Sequence, residues 1–333
     1  MEVLPPSAIL ATLDAGGRSD GLLFMPEMVR YCGRRFQVER RTERVCDTIG
    51  YTGSRRLADA VMLDDLRCDG AGHDGCQAEC RFTWKEVWLR RIDPAAPMSA
   101  AIPVEDAERL MQRATLHSQR IEQTPKGAQT RWQCQTTELL TSTTPIPGFN
   151  LRSLLQEYRC GNVGLRYFLS TVANALIREP IRKKTLLTKS GLLRGSAEPV
   201  KLPPLNLQPG EWVRVKSPAE IAATLAQDGH ARGLSFDREM LPFCGGHYRV
   251  SHRVTRLIEE SSGRMLRISG DCIALERVAC AGECSARRLF CPRAIRPYWR
   301  ECWLERVSAP ERARADTTTA LEPVVAAQSH PAS

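Results

Sequence analysis

Nowhere does this sequence stay apolar for the ~20 residues that a helix needs to cross a bilayer, so no transmembrane span is expected. Its opening, MEVLPPSAIL, has no basic segment leading into an apolar one, and no secretory leader is expected either. Both absences lead to the expectation of a cytoplasmic protein. Also missing are a P-loop, a G-x-G-x-x-G after a strand, an H-E-x-x-H and a G-x-S-x-G. The commonest catalytic classes therefore have no anchor here, and the residues leave open whether the chain is an enzyme. An even cysteine count is lacking as well. There are 13, and an odd number in a reducing compartment argues against a disulfide framework and for thiolate ligands or buried free thiols.

What is present is a duplication. Pro6 through Arg41 fall on Pro218 through Arg253 at an offset of 212, without a gap, and 15 of the 36 positions are identical. Among them are Phe24/Phe236, Glu27/Glu239, Met28/Met240, Cys32/Cys244, Gly33/Gly245 and Val38/Val250. The chain therefore reads as two copies of one unit. With 333 residues and 42% apolar content, it is long enough for two or three folded domains.

Each copy reads as a short helix, a G-L-x-F loop, a helical turn broken at Cys-Gly, and then strands of period two. The helix in the second copy is well punctuated by Ser217, Pro218 and Glu220. Gln208-Pro-Gly-Glu-Trp-Val-Arg-Val215 looks like entry into a small barrel, and a strand pair is expected to turn at Ser261-Ser262-Gly263. The expected fold is α+β: two tandem small β-barrel or roll repeats, SH3-like by analogy, with short helices. They are joined by a partly helical middle segment. The boundaries are residues 1–92 for the first repeat, 93–205 for a helical or irregular basic linker, 206–307 for the second repeat and 308–333 for a disordered tail. Within the linker the best helical stretch is Leu165 to Arg178, which Pro180 should end or kink.

Cysteine spacing carries the chemistry. The first copy holds Cys68-x4-His73-x2-Cys76-x3-Cys80 in a glycine-rich loop, besides Cys32 and Cys46. The second holds Cys244, Cys272, Cys280, Cys284, Cys291 and Cys302. Cys32 registers with Cys244 and Cys68 with Cys280 at offset 212. Aligning Trp84 and Trp88 with Trp299 and Trp303 gives offset 215, and then Cys76 registers with Cys291. Three recurrent thiols per copy plus a fourth ligand could close a zinc site or hold an iron–sulfur cluster. The fourth would come from Cys80, His73 or Cys46 in the first copy, and from Cys284 or Cys272 in the second. Buried packing thiols and redox-active thiols are the alternatives.

Other features have plainer readings. Glu27/Glu239 and Glu86/Glu301 recur, and read as helix-start or surface carboxylates bonded to backbone amides before they read as acid–base pairs. The paired tryptophans read as core. Residues 151–200 hold nine Lys/Arg against three Glu, so +6 of the net +9 lies there. That segment is where an anionic lipid surface or a nucleic acid would bind, if either is a partner. The phrases Phe24-Met-Pro-Glu-Met28, Cys32-Gly-x-x-Phe36, Leu205-x-Leu-Gln-Pro-Gly-Glu211, Leu289-Phe-Cys-Pro-Arg293 and Tyr298-Trp-Arg-Glu301 resemble a family of uncharacterised bacterial proteins with tandem cysteine-rich repeats. The resemblance covers most of the chain and implies no activity. The expected function is a metal-binding accessory or binding module that acts on another protein or an anionic partner. A metalloenzyme with an open-site cluster or zinc between the repeats is the alternative, and a nucleic-acid-binding protein the second.

Overall fold

The computed structural model describes residues 1–93, 95, 101–125, 127–147 and 150–309. From 310 on, the tail expected to be disordered lies outside the described residues. The fold is mixed α and β, with short strands in several small sheets.

The two halves carry the same elements in the same order. A helix (Pro6–Leu10 or Pro218–Ala222) leads to a tiny hairpin and then a 3₁₀ turn (Pro26–Tyr31 or Arg238–Phe243). Glycine ends that turn because the chain must enter the left-handed region there. Gly33 at φ +70° and Gly245 at φ +80° donate their N–H groups back to Val3 and Val215. Next comes a three-strand meander: Val38–Arg41, Ala60–Leu63 and Trp84–Lys85 in the first half, and His247–Arg253, Cys272–Leu275 and Tyr298–Arg300 in the second. The first two strands pair as Val38↔Leu63 then Arg40↔Met62 in one half, and as Val250↔Leu275 then His252↔Ala274 in the other. A bulge thus interrupts both meanders at the same registered place.

In the second half the meander belongs to a five-strand sheet in the order Tyr298–Arg300, Cys272–Leu275, His247–Arg253, Trp212–Val215, Leu304–Arg306. The 3₁₀ turn Glu301–Trp303 carries the chain from one edge of that sheet to the other. No sheet closes into a barrel among the described residues. Strands of two to seven residues offer too few ladder bonds to join the two edges.

Each core is organised on one Phe and two Trp. Phe24 meets Trp84 and Trp88 edge-on at 6.4 and 5.1 Å, and Phe236 meets Trp299 and Trp303 at 6.0 and 5.3 Å. The polar tips match as well: Trp88 Nε1 donates to Thr12 and Trp303 Nε1 to Thr224, both at 3.1 Å.

The middle of the chain packs against both halves. Helix Val104–Leu116 sinks Leu110 and Ala114 into the first core. Helices Leu151–Arg159 and Leu165–Thr185 form a separate apolar cluster with Leu289 and Phe290 of the second half. Helix Leu165–Thr185 runs on through Pro180, so the proline does not end it. The carbonyl that loses its partner there belongs to Leu176, which is 54% exposed, so water can take over the bond.

Glu157 is fully buried on the first of those helices, with one oxygen accepting from Asn162 Nδ2 at 2.7 Å and the other unpaired. Burial pushes its carboxyl up to about 7, against the opposing pull of Asn162 and the Arg44 charge. A carboxyl raised in the fold favours the folded state most below its unfolded value and loses that contribution as pH climbs through the folded one. Stability is therefore expected to fall by up to about 3 kcal/mol between roughly pH 4.5 and 7 on this account. Glu157→Gln should flatten that slope in denaturant melts taken across the range. An unchanged slope would show that Glu157 is ionised in the fold.

Candidate metal centre

The cysteine loop of the first half is a closed purse. Its neck is drawn shut by a bridge between Arg67 and Arg81 and by Cys68 N–H donating to Cys80 O at 2.9 Å. Gly70 lies at φ +71° directly over the Cys76 backbone, and a Cβ there would stand 2.1 Å from Cys76 O, so only glycine lets the loop fold over itself. Two arginines tie the purse to the second half: Arg67 Nη1 reaches Ala294 O at 3.3 Å and Arg81 Nη1 reaches Pro292 O at 3.4 Å.

Inside this seam is a cavity of about 230 Å³, and four thiols line it: Cys68, Cys76, Cys80 and Cys134. Three come from the loop. Cys134 comes from the middle of the chain, from the turn that follows the hairpin Gln119–Thr124/Gly127–Trp132. The opposite wall is supplied by the second half, chiefly Leu257, Ile258, Ile295 and Tyr298. Burial pushes all four thiols up, and the neighbouring thiols add to this for Cys68, Cys76 and Cys80. They are neutral at pH 7, so an incoming metal must displace protons. Two N–H groups already point at sulfurs: Gly70 N donates to Cys68 Sγ at 3.3 Å and Ile258 N to Cys76 Sγ at 3.5 Å.

Glu27 braces the loop from behind. It is buried and accepts from His73 Nδ1 at 2.7 Å, Gly72 N at 3.0 Å and Cys68 Sγ at 3.4 Å. Burial would raise its carboxyl, but the His73 bond and charge, with the Gly72 amide, outweigh it and hold the group below its usual value. His73 also directs Nε2 at Gln133 O, 3.0 Å away, so both ring nitrogens are engaged. Among the described residues, Glu27, Cys68 and His73 are the one set of three ligating groups whose atoms all lie within 4.8 Å of one another. Zn–S bonds of about 2.3 Å would bring tetrahedral thiolates to about 3.8 Å from each other. The four thiols are not drawn together in that way. They stand around a space.

Of the expected ligands, the structure brings Cys68, Cys76, Cys80 and His73 together and leaves others apart. Cys32 and Cys244 do not join any thiol set. They cap the 3₁₀ turns and pack in or against the two cores, because the Cys-Gly turn bends inward to reach the strand behind it. Cys272 also departs from expectation: it is buried on its strand in a small apolar cluster with Val254 and Ala274. Cys284 N donates to Glu239, the same brace that Glu27 gives to Gly72, and the residue lines a different pocket, with Thr171, Asn174 and Arg182. Cys280 and Cys291 occupy the places of Cys68 and Cys76, but their neighbour is Cys46 of the first half. Cys134 was not foreseen as a ligand, nor Cys46 as a partner of the second loop. Cys134 sits alone in the sequence, with no local spacing to mark it.

Compared with known protein families, with curated proteins and with solved structures, the chain finds no match in any of the three.

Proposed function

We propose that the chain is an iron–sulfur protein in which Cys68, Cys76, Cys80 and Cys134 hold a cubane cluster at the seam between its halves. The observation that carries this reading is a cavity surrounded by four thiols from two separate stretches of chain, spaced too widely for one ion. Four protein thiolates cap all the corner irons, leaving none open to a substrate. That supports an accessory or electron-carrying module over an open-site metalloenzyme. When bound, the cluster would supply reversible one-electron chemistry. The chain's part is to keep it dry with Leu257, Ile258 and Ile295, and to aim the Ile258 N–H at a ligand sulfur.

Each half is proposed to be an SH3-like roll. The strand order of the second sheet, with a 3₁₀ turn before the last strand, supports this. Helix Leu165–Thr185 presents Leu165, Leu169, Leu176, Ile177 and Ile181 exposed beside Arg166 and Lys184, which suits a partner with an acidic, partly apolar surface.

Protein purified without oxygen should carry iron and acid-labile sulfide at about four of each per chain. A second reading rests on the closeness of Glu27, Cys68 and His73, which could hold one zinc ion. It predicts zinc at one per chain and no sulfide. His73→Gln separates the two. Under the cluster reading, iron is retained while the melting temperature drops, because the Glu27–His73 strut is weakened. Under the zinc reading the metal leaves with the histidine. No bound metal in anaerobic protein would overturn both.

A further inference from the structure

The halves exchange contacts reciprocally. In one crossing, Ile258 of the second half lays its N–H on Cys76 Sγ of the first at 3.5 Å. In the other, Cys46 of the first half lays its N–H on Cys291 Sγ of the second at 3.1 Å, across 245 positions of sequence. Position 46 registers with 258 at offset 212, and 76 registers with 291 at offset 215, so these are the same contact made twice. Only the second crossing sets sulfur against sulfur. Cys46 N stands 3.1 Å from Cys291 Sγ, which makes the two sulfurs neighbours, and both side chains are buried. Beside them, Arg293 directs Nη1 at Cys46 O (3.1 Å), Thr48 Oγ1 (2.8 Å) and Cys46 Sγ (3.9 Å), while Nη2 pairs with Glu260 at 3.1 Å. A guanidinium this close favours the thiolate form of Cys46, the nucleophilic one. Arg293 also lines the seam cavity, whose walls include neither Cys46 nor Cys291.

We propose that Cys46 and Cys291 form an oxidation site, converted by a hydroperoxide into a disulfide that joins the two halves. The Cys46 thiolate attacks one peroxide oxygen. The O–O bond breaks, leaving Cys46 as a sulfenic acid and releasing hydroxide. The Cys291 sulfur then displaces the sulfenic hydroxyl, and its proton and that hydroxyl leave as water. Two thiols lose two electrons, and hydrogen peroxide becomes two waters. Burial selects the oxidant: hydrogen peroxide is scarcely larger than water and can reach the pair, whereas a bulky organic disulfide cannot. The site is separate from the proposed cluster and does not depend on it.

The test uses the intact chain. It is treated with hydrogen peroxide, quenched, unfolded in an alkylating reagent and mapped by mass spectrometry. Cys46 and Cys291 peptides should appear joined, and the treated protein should melt at a higher temperature. Oxidised glutathione at the same oxidising strength should give no such link. In Cys291→Ala, dimedone present as the peroxide-treated chain is unfolded should label Cys46. Full alkylation of both residues in peroxide-treated wild-type protein overturns the proposal, as do links confined to other cysteines. Protection of the pair that ends only when a chelator is added would also overturn it, because the two sulfurs would then be metal ligands. The wild-type measurement needs no variant to fold.

Discussion

Cys134→Ala is expected to fold and to lose nearly all of its bound iron, together with the broad visible absorption of a thiolate-ligated cluster. The reasoning is local. Cys134 is one of four thiols on the cavity and the one supplied from outside the loop, so its removal leaves a corner iron facing a methyl group. Its own structural bonds are modest: the backbone N–H to Thr137 Oγ1 at 2.9 Å survives the change, and the thiol contact to Thr136 at 3.0 Å is the main loss. Trading a thiol for a methyl at such a buried place is expected to cost about 1 kcal/mol in stability. Cys32→Ala provides the contrast. That thiol is equally buried but is not on the cavity, and burial is the main influence on it, pushing it up to about 12. Iron content in Cys32→Ala should equal that of the parent. If Cys32→Ala lost iron and Cys134→Ala kept it, the assignment of ligands would be wrong. Loading should also weaken as the buffer is made more acidic, since every ligand thiol must surrender a proton on binding.

Trp303→Ala is expected to cost about 3–5 kcal/mol. Trp303 is fully buried, packs edge-on against Phe236 at 5.3 Å and bonds Thr224 through Nε1. Truncation leaves a void at the centre of the second core and removes one of the bonds of the Thr224 hydroxyl, which keeps its donation to Ile221 O at 2.7 Å. A typical domain has only about 5–15 kcal/mol in hand, so this single change should bring the second half close to unfolding near body temperature. Trp88→Ala should do the same to the first half, where the indole meets Phe24 at 5.1 Å and bonds both Thr12 and Ser19. Denaturant midpoints measured side by side should therefore shift by similar amounts. A shift below about 1 kcal/mol in either would mean that the core can collapse around the missing ring.

These pairings explain what could be read beforehand. The internal repeat placed Trp84 with Trp299, Cys68 with Cys280 and Cys76 with Cys291, because the same local geometry was written twice in residues that neighbours in sequence can specify. Glu27 and Glu239 do hold backbone amides, those of Gly72 and Cys284, but from buried places and not from the surface. What spacing could not convey was direction. Cys32 recurs as faithfully as Cys68, yet a left-handed glycine after it turns that thiol toward the core. Likewise Cys134 and Cys46 become neighbours of loop thiols only through packing of distant segments, for which no short-range pattern exists. The continuation of the helix past Pro180 is a further case, since Leu176, whose carbonyl loses its partner there, is an exposed residue.

The crossing of Cys46 to Cys291 has a consequence for how the molecule is born. A ribosome adds roughly 5–20 residues each second, so the strand ending at Cys46 waits on the order of tens of seconds for its partner to be made. During that interval its inner face has nothing to rest on, and a second nascent chain could supply the missing surface. Contacts this distant in sequence also slow folding. Assembly of this protein should therefore depend on translation speed and on holding chaperones more than its modest length would suggest.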